Sequence, residues 1–413
     1  MECYLVGGAV RDELMNYPFV ERDWVIVGAT SSDLNKMLSE GYQQVGKDFP
    51  VFLHPQSKEE YALARTERKT GHGYGGFSVD TENVSLEEDL SRRDLTINAI
   101  AKSANGDIID PYNGQRDIQN KILRHVSAAF AEDPLRILRL ARFLARYQHL
   151  GFSVAPETMA LMRSMVAAGE VEHLVAERVW KETEKALCEI SPASYFNCLL
   201  ECGALKIILP ELEALFGVPQ RAEFHPEIDT GIHSLMVLEQ ACSLSPETRV
   251  RLAAVLHDLG KATTPANILP RHHGHEQRSL PIIKQLCERL RIPKAHLRCA
   301  LHLAEFHTHA HRAFELRGKT IAKLFKQLDA YRNPQALEDF LIGSEADSRG
   351  RSGFESKPYP QKKHLEQAYQ VACRINAKDI IAQGHSGSEI GLQLEQQRIK
   401  ALDQFQKSTG HRP

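Results

Sequence analysis

Tyr4-Leu5-Val6-Gly7-Gly8-Ala9-Val10-Arg11-Asp12 and, just downstream, Glu21-Arg22-Asp23-Trp24-Val25-Ile26-Val27-Gly28 are the stretch whose reading decides the fold. Two apolar runs of strand type flank a glycine pair that opens onto a helix-like segment. A glycine pair at such a junction lets backbone N–H groups approach phosphate oxygens closely. Glu21 and Asp23 stand at i and i+2. On a strand this spacing points both carboxylates to one face, their roots about 7 Å apart, where they converge on divalent cations. Alone, an acid-x-acid pair reads as a solvated strand edge and a glycine pair as a tight turn. Together, within about one βα unit, they form a phosphate cradle beside a carboxylate pair, the equipment of metal-assisted nucleotidyl transfer.

The chain has 413 residues, enough for two to four structural units with a substantial core. Apolar residues make up 42% and charged residues 25%, an ordinary globular composition. With a net charge of −2, an RNA partner must be held by local patches rather than by a bulk basic field. Met1-Glu2-Cys3-Tyr4 enters a strand at once, without the basic and apolar regions of a signal peptide. No run approaches the ~18 apolar residues of a membrane span. Among the 8 cysteines only Cys198 and Cys202 are close, at helical spacing and without the CxxC pairs of a zinc site. Reduced thiols in a cytoplasmic protein are the expectation.

Residues 1–126 read as a mixed α/β head, with strand-like runs at Tyr4–Val6, Trp24–Val27, Val51–Leu53, Tyr61–Ala64 and Ile97–Ala101. The glycine-rich, charged segment 67–90, with Gly71, Gly73, Gly75 and Gly76, has no period and reads as a mobile surface loop. From Asp133 onward helical periodicity takes over, punctuated by Pro192, Pro210 and Pro226. No repeat of fixed period is present. The expected class is α+β: a small α/β head (1–126), a helical neck (127–229), a histidine-rich helical domain (230–331) and a helical tail (332–413), the three helical parts forming an elongated body.

Three further segments carry chemistry. Ser91-Arg92-Arg93-Asp94-Leu95-Thr96-Ile97-Asn98-Ala99 sets two arginines and an aspartate before an apolar run. In Glu132-Asp133-Pro134-Leu135-Arg136, continuing to Arg146, Asp133 suits an N-cap and Pro134 the first helical position. Arg136, Arg139, Arg142 and Arg146 follow three- and four-residue steps, and such a stripe repels itself unless an anion or base lies between. Arginine supplies a fork of donors and the Asp133 carboxylate supplies acceptors. In the third segment His257-Asp258 follows the apolar run Leu252–Leu256. His233 lies upstream, and His272, His273, His275, His302, His307, His309, His311 and Asp347 lie downstream. Imidazoles with carboxylates form a mixed N/O site suited to nickel, manganese, cobalt, zinc or iron rather than an all-oxygen Mg²⁺ cage.

Gly7-Gly8-Ala9-Val10-Arg11-Asp12 matches the Gly-Gly-x-Val-Arg-Asp signature, and the chain resembles the class II tRNA nucleotidyltransferases of the polymerase β-like superfamily, the bacterial CCA-adding enzymes with an HD domain. The order of motifs is that of the family, with Glu21 standing where the first Asp of its Asp-x-Asp pair is usual. The longer glutamate still ligates Mg²⁺, but its extra methylene moves the oxygens. The resemblance implies addition of CMP, CMP and AMP to the tRNA 3′ end from CTP and ATP. Glu21 and Asp23 would be catalytic and hold Mg²⁺; the third carboxylate of such sites comes from a neighbouring strand, and Glu60 is either that acid or an ordinary surface glutamate. It implies nucleotide contacts from Gly8, Arg11 and Arg93, a sugar pocket shaped by Asp94 and Asn98, and a base template of Asp133 and Arg136. Arg139 and Arg142 would bind the triphosphate or brace that pair. The segment 67–90 would gate the switch in base preference. His233 and His257-Asp258 would ligate a transition metal such as Ni²⁺ or Mn²⁺ in an HD phosphohydrolase site acting on phosphomonoesters or 2′,3′-cyclic phosphates, its later ligands lying among His275, His302 and His307. The implied partners are tRNA, CTP and ATP with no membrane, and a monomer or weak homo-oligomer. Two rivals stand beside this reading: a poly(A) polymerase, which would use ATP alone, and an HD phosphohydrolase whose head only binds RNA or nucleotide.

Overall fold

The computed structural model describes residues 1–19, 21–45, 51–69, 77–80 and 83–410. The chain divides into two compact units, Met1–Ile208 and Leu209–Pro413.

The first unit opens with β1 (Glu2–Val6), α1 (Gly8–Leu14), β2 (Asp23–Val27), α2 (Ser31–Ser39), β3 (Gln43–Val45), β4 (Val51–Leu53) and β5 (Glu60–Leu63). With β6 (Thr66–Lys69), β7 (Phe77–Asp80), α3 (Leu86–Ser91), β8 (Ala101–Lys102) and β9 (Ile108–Ile109), these complete the mixed head. The main sheet runs β3-β4-β5-β2-β1-β8-β9. The β2–β5 pair is parallel and the others antiparallel. Strand alternation builds the core on both faces. Val6 and Val25 pack with Leu90 and Ala99, whereas Leu5 packs with Ala9, Val10 and Ile100 on the other side. α4 (Gly114–Asn120), β10 (Ile122–Leu123), α5 (Leu135–Tyr147), β11 (Ser153–Val154), α6 (Pro156–Ala167), α7 (Ala176–Cys188), α8 (Ala193–Cys202) and α9 (Leu205–Ile208) complete the unit, with α5 packed on α7 and α8.

Three local expectations change. Glu21 precedes the strand rather than sharing it. Val6 pairs with Asp23 and the chain turns away at Gly7, while β5 begins at Glu60 opposite Asp23, so positions 21 and 22 have no ladder to join. Residues 67–90 are not one loop. Thr66–Lys69 and Phe77–Asp80 pair antiparallel, and Ser85 and Glu88 form a capping box on α3. Alternating Phe77 and Val79 and the Ser-x-x-Glu spacing are the signals for these elements. The glycines 71–76 lie outside the described residues. The run Ile97–Ala101 is a 3₁₀ turn, Thr96–Asn98, followed by the two-residue β8. All five of those residues from Ile97 are buried, so apolar character alone could not distinguish strand from turn.

The second unit is helical: α10 (Pro210–Glu213), α11 (Thr230–Leu244), α12 (Thr248–Leu256), α13 (His275–Arg289), α14 (Lys294–His311), α15 (Gly318–Gln327), α16 (Pro334–Arg349), α17 (Pro360–Cys373), α18 (Ala377–Ala382) and α19 (Ser388–Ser408). α11, α12, α14 and α16 pack together through small residues. Val237, Ala241, Ala254 and Ala346 form one cluster, and a Cβ at Gly343 would meet Leu303 at 2.8 Å. That close packing brings ligand-type side chains of four helices to one centre. No helix among the described residues is long and apolar enough to cross a membrane.

Candidate active sites

In the head, Asp23 begins β2 at the point where β1 ends and turns at Gly7. Gly7 has φ +69° and ψ −129°, a conformation open to glycine. A Cβ there would stand 3.0 Å from Arg93 Nη1. The parallel register places Glu60 directly beside Asp23. Partial burial, then Glu60, then Glu21 push the Asp23 pKa above the ordinary carboxylate value, while Arg93 pulls it down. Arg93 is therefore close to both the glycine turn and the acid. Its Nη2 donates to Asp89 at 3.1 Å, and its buried Nε has no partner. This end of the sheet thus collects Asp23, Glu60, Glu21 and Arg93. Three acids around one arginine leave surplus negative charge at exposed strand ends, which suits divalent cations.

Beneath it runs a buried chain of polar contacts. Arg11, 3% exposed, donates to both carboxylate oxygens of Asp12 and to Asn98 Oδ1. Asn98 Nδ2 donates to Asp94 at 2.8 Å, and Arg139 Nε donates to the other Asp94 oxygen at 2.8 Å. Tyr147 Oη closes the path on Asp12 at 2.7 Å. Burial opposes the charge on Asp94, but Arg139 and the Asn98 hydrogen bond outweigh it and hold its pKa well below the usual range.

The arginines of α5 fan out rather than forming one substrate-facing stripe. Successive three-residue steps drift by about 60°, so Arg136 and Arg142 are about 120° apart around the helix. Each has a protein partner. Arg136 donates to the carbonyls of Ala129 and Arg92, Arg139 pairs with Asp94, Arg142 with Glu182 at 2.7 Å, and Arg146 with Asp12 at 3.5 Å. The repulsion inferred from spacing is relieved by carboxylates and carbonyls from distant segments. Arg11 and Arg142 are buried braces in this arrangement. Asp133 caps Leu135 N–H with one oxygen and pairs with Arg178 through the other.

The second unit holds a denser centre. His233 comes from α11, His257-Asp258 from the end of α12, His275 from the start of α13, His307 and His311 from α14, and Asp347 from α16. His233 Nε2 lies 3.1 Å from Asp347 Oδ1, and His257 Nε2 lies 3.1 Å from Asp258 Oδ2 and 3.6 Å from Asp347 Oδ1. His275 Nε2 is 3.1 Å from Asp258 Oδ1, and His311 Nε2 is 2.7 Å from Asp347 Oδ2. The Nδ1 atoms of His233, His257, His275 and His307 face the carbonyls of Gly350, Ala254, His272 and Leu303. A carbonyl only accepts, so each Nδ1 carries a proton and each ring turns its Nε2 inward, where that atom becomes a ligand once it carries no proton. His275 and His307 then meet Nε2 to Nε2 at 3.3 Å, a pairing that calls for a cation between them.

His257 Nε2 and Asp258 Oδ1 are buried and lack an aligned hydrogen-bond partner despite these short distances. Donor atoms that converge without bonding to each other fit a metal. Four overlapping sets emerge among the described residues: His233–His257–Asp258, His257–His307–Asp347, Asp258–His275–His307 and, to one side, His225–Glu227–His233. Burial alone would neutralise His257, but Asp258 and Asp347 raise its pKa to about 10. His307, where burial prevails, falls to about 3.

His275 and His307 thus join the expected doublet, and His302 does not. It stands five residues from His307, about 140° around α14, whereas His311 follows at i+4 on the same face. That spacing marks His311. Asp347, in the sequence an ordinary acid on a distant helix, has no such mark.

Residues 3–124 match the family model described as the Poly A polymerase head domain, 151–216 that of the probable RNA and SrmB-binding site of polymerase A, and 230–342 the HD domain. Head, RNA-binding region and HD domain define the class: a polymerase-type head joined to an HD protein. The chain is 58% identical to the Multifunctional CCA protein of Thioalkalivibrio sulfidiphilus over 99% of its length and 100% of the relative's. It is 57% identical to that of Nitrosococcus oceani over 98% of each. The chain belongs to the multifunctional CCA protein family. In fold it is similar to the Bacillus stearothermophilus CCA-adding enzyme in complex with CTP, at 23% identity and a TM-score of 0.63, covering 97% of this chain and 88% of that one. The Thermotoga maritima CCA-adding enzyme complexed with tRNA has the same TM-score at 19% identity, covering 98% and 90%.

Proposed function

We propose that this protein adds and repairs the 3′-terminal CCA of tRNA, using CTP and ATP, and that its HD centre is a metal-dependent phosphohydrolase. The observation that carries the first part is the grouping of Asp23, Glu60 and Arg93 at the Gly7 turn, in a chain 58% identical to a multifunctional CCA protein. Asp23 and Glu21, with Glu60 as third acid, hold Mg²⁺. When bound, the ions supply the charge that lowers the pKa of the attacking hydroxyl and neutralises the triphosphate. The tRNA terminal hydroxyl attacks the α-phosphorus of the nucleotide, and the bond to pyrophosphate breaks. The Gly8 backbone and Arg93, whose Nε has no partner, bind the triphosphate. Asp133 and Arg136 read the base edge, exchanging their protein hydrogen bonds for those of cytosine or adenine. Asp94 and Asn98 shape the sugar pocket. Arg139 holds Asp94, while Arg11 and Arg142 brace the arrangement from beneath.

In the second unit, His233, His257, Asp258 and Asp347 hold a transition metal such as Ni²⁺ or Mn²⁺, with His275 and His307 beside them. The bound ion would activate water toward phosphomonoesters and 2′,3′-cyclic phosphates. The carbonyl-anchored rings keep their Nε2 atoms aimed without rearrangement.

Incubating tRNA that lacks its terminus with labelled CTP and ATP tests the first activity. The expected product gains two C residues and one A. Incorporation of A alone would instead favour the poly(A) polymerase reading.

A further inference from the structure

A carboxylate stands behind His233, at the ring nitrogen opposite the one that faces Asp347. Glu227 Oε1 lies 3.0 Å from His233 Nδ1 and 3.0 Å from His225 Nδ1. The Glu227 side chain is 2% exposed, and its Oε2 accepts from the Ser352 N–H at 3.4 Å. The His225 ring stands edge-on to that of His233, with centroids 4.7 Å apart. By distance alone His225, Glu227 and His233 could hold a cation. The atoms involved point elsewhere. His233 Nδ1 also lies 2.9 Å from the Gly350 carbonyl, an acceptor only, so this nitrogen carries a proton shared between two acceptors. A protonated nitrogen does not ligate. Glu227 is therefore an acceptor behind a metal-facing ring, and a buried carboxylate bonded in this way escapes most of the cost of burial.

The backbone delivers Glu227 to this place under strain. Ile228 has φ +61°, a left-handed conformation that a β-branched residue rarely adopts. Its side chain is 48% exposed, so burial does not compensate. Bonds on both sides hold the turn. Gln220 N–H donates to the Ile228 carbonyl at 2.7 Å, Thr230 N–H donates to the Val218 carbonyl at 3.1 Å, and Asp229 caps Ile232 N–H at the start of α11. Strain that its surroundings enforce clusters where a side chain must be aimed.

We infer that Glu227 is a positioning residue of the HD centre. It keeps the proton of His233 on Nδ1, so that Nε2 presents its lone pair to the metal, and it seats His225 against that ring. This rests on the metal-dependent reading of the centre given above. A charged acceptor also makes the ligand ring more basic than a carbonyl alone does. Glutamine has nearly the same shape but does not replace it. Two ring N–H groups and one backbone N–H converge on the two carboxylate oxygens, and an amide offers one oxygen and two donors. In Glu227→Gln a donor must face either the rings or Ser352.

Ni²⁺ titrated calorimetrically into the full-length, metal-free protein, with Mg²⁺ in excess, tests this role. The isotherm lost in Asp258→Ala belongs to the HD centre. In Glu227→Gln the Ni²⁺ dissociation constant of that centre rises about ten- to hundredfold. Hydrolysis of p-nitrophenyl phosphate at saturating Ni²⁺ keeps a kcat within about fivefold of wild type, because the displaced ligand is recovered by mass action. Asp229→Ala removes the α11 cap without removing a bond to either ring. It lowers the urea midpoint and leaves the dissociation constant within about threefold. A dissociation constant in Glu227→Gln within about twofold of wild type overturns the inference. So does an equal loss of affinity in Asp229→Ala, which would make the effect one of folding, and so does a fall in kcat at unchanged affinity. If wild type and Asp258→Ala give the same isotherm, the centre holds no Ni²⁺, and the metal reading fails together with the role of Glu227.

Discussion

The two centres solve opposite problems. The head site lies at the exposed ends of two central strands, where Asp23, Glu60 and Glu21 surround Arg93, held by a glycine turn and a buried chain of hydrogen bonds below. The HD centre is enclosed, with His233, His257, Asp258 and Asp347 all below a tenth exposed and four rings anchored on carbonyls. A site that must admit a triphosphate and an RNA end keeps its acids open and puts its rigidity underneath. A site for a small phosphoester can bury its ligands and fix each directly. The head should therefore be sensitive to its supporting turn, and the HD centre to its own ligands.

The largest expected effect is separation of the two activities. Asp258→Ala should reduce phosphomonoester hydrolysis by on the order of a thousandfold while CMP transfer stays within about twofold, both read on one preparation. Equal loss of both would break the contrast. Next comes Arg142→Leu, which strands the buried Glu182 carboxylate. A loss of about 3 kcal/mol in urea unfolding is expected, and less for the double variant with Glu182→Leu, which removes both charges. Gly7→Ala follows. Its φ of +69° and the 3.0 Å approach to Arg93 should cost about 1–3 kcal/mol and slow CMP transfer, without slowing phosphoester hydrolysis.

The smallest effect is on pH dependence. Asp94 has a folded pKa below its unfolded value, so its stabilisation is present above pH ~4 and lost as pH falls through and below that value. Asp94→Asn should lower stability at pH 7 by about 1–2 kcal/mol and flatten the decline between pH 7 and 3, read by denaturant titration at each pH.

What was legible in the sequence follows the range of each interaction. The glycine turn, the strand at Val6 and the His257-Asp258 doublet are local patterns, and each reads directly. Glu60 becomes specific only through the β2–β5 register, and Asp347 only through packing of α16 on α11 and α14. The α5 arginines illustrate the same limit. Their spacing was visible, but Asp94, Glu182 and Asp12 lie 45, 40 and 134 residues from their partners, so the stripe read as an anion site when it is largely satisfied within the protein. Glu21 failed in the other direction: its i, i+2 spacing suggested a strand face, and the ladder ends before reaching it.

The central claim is that the Asp23 carboxylate, at the Gly7 turn, is the cation-binding group for nucleotidyl transfer. Single-turnover incorporation of labelled CMP into tRNA lacking its terminus, by Asp23→Ala and wild type in parallel, tests it most directly. A rate lower by on the order of a thousandfold, with phosphomonoester hydrolysis retained, is the predicted result. Near-normal CMP transfer by the variant would contradict it.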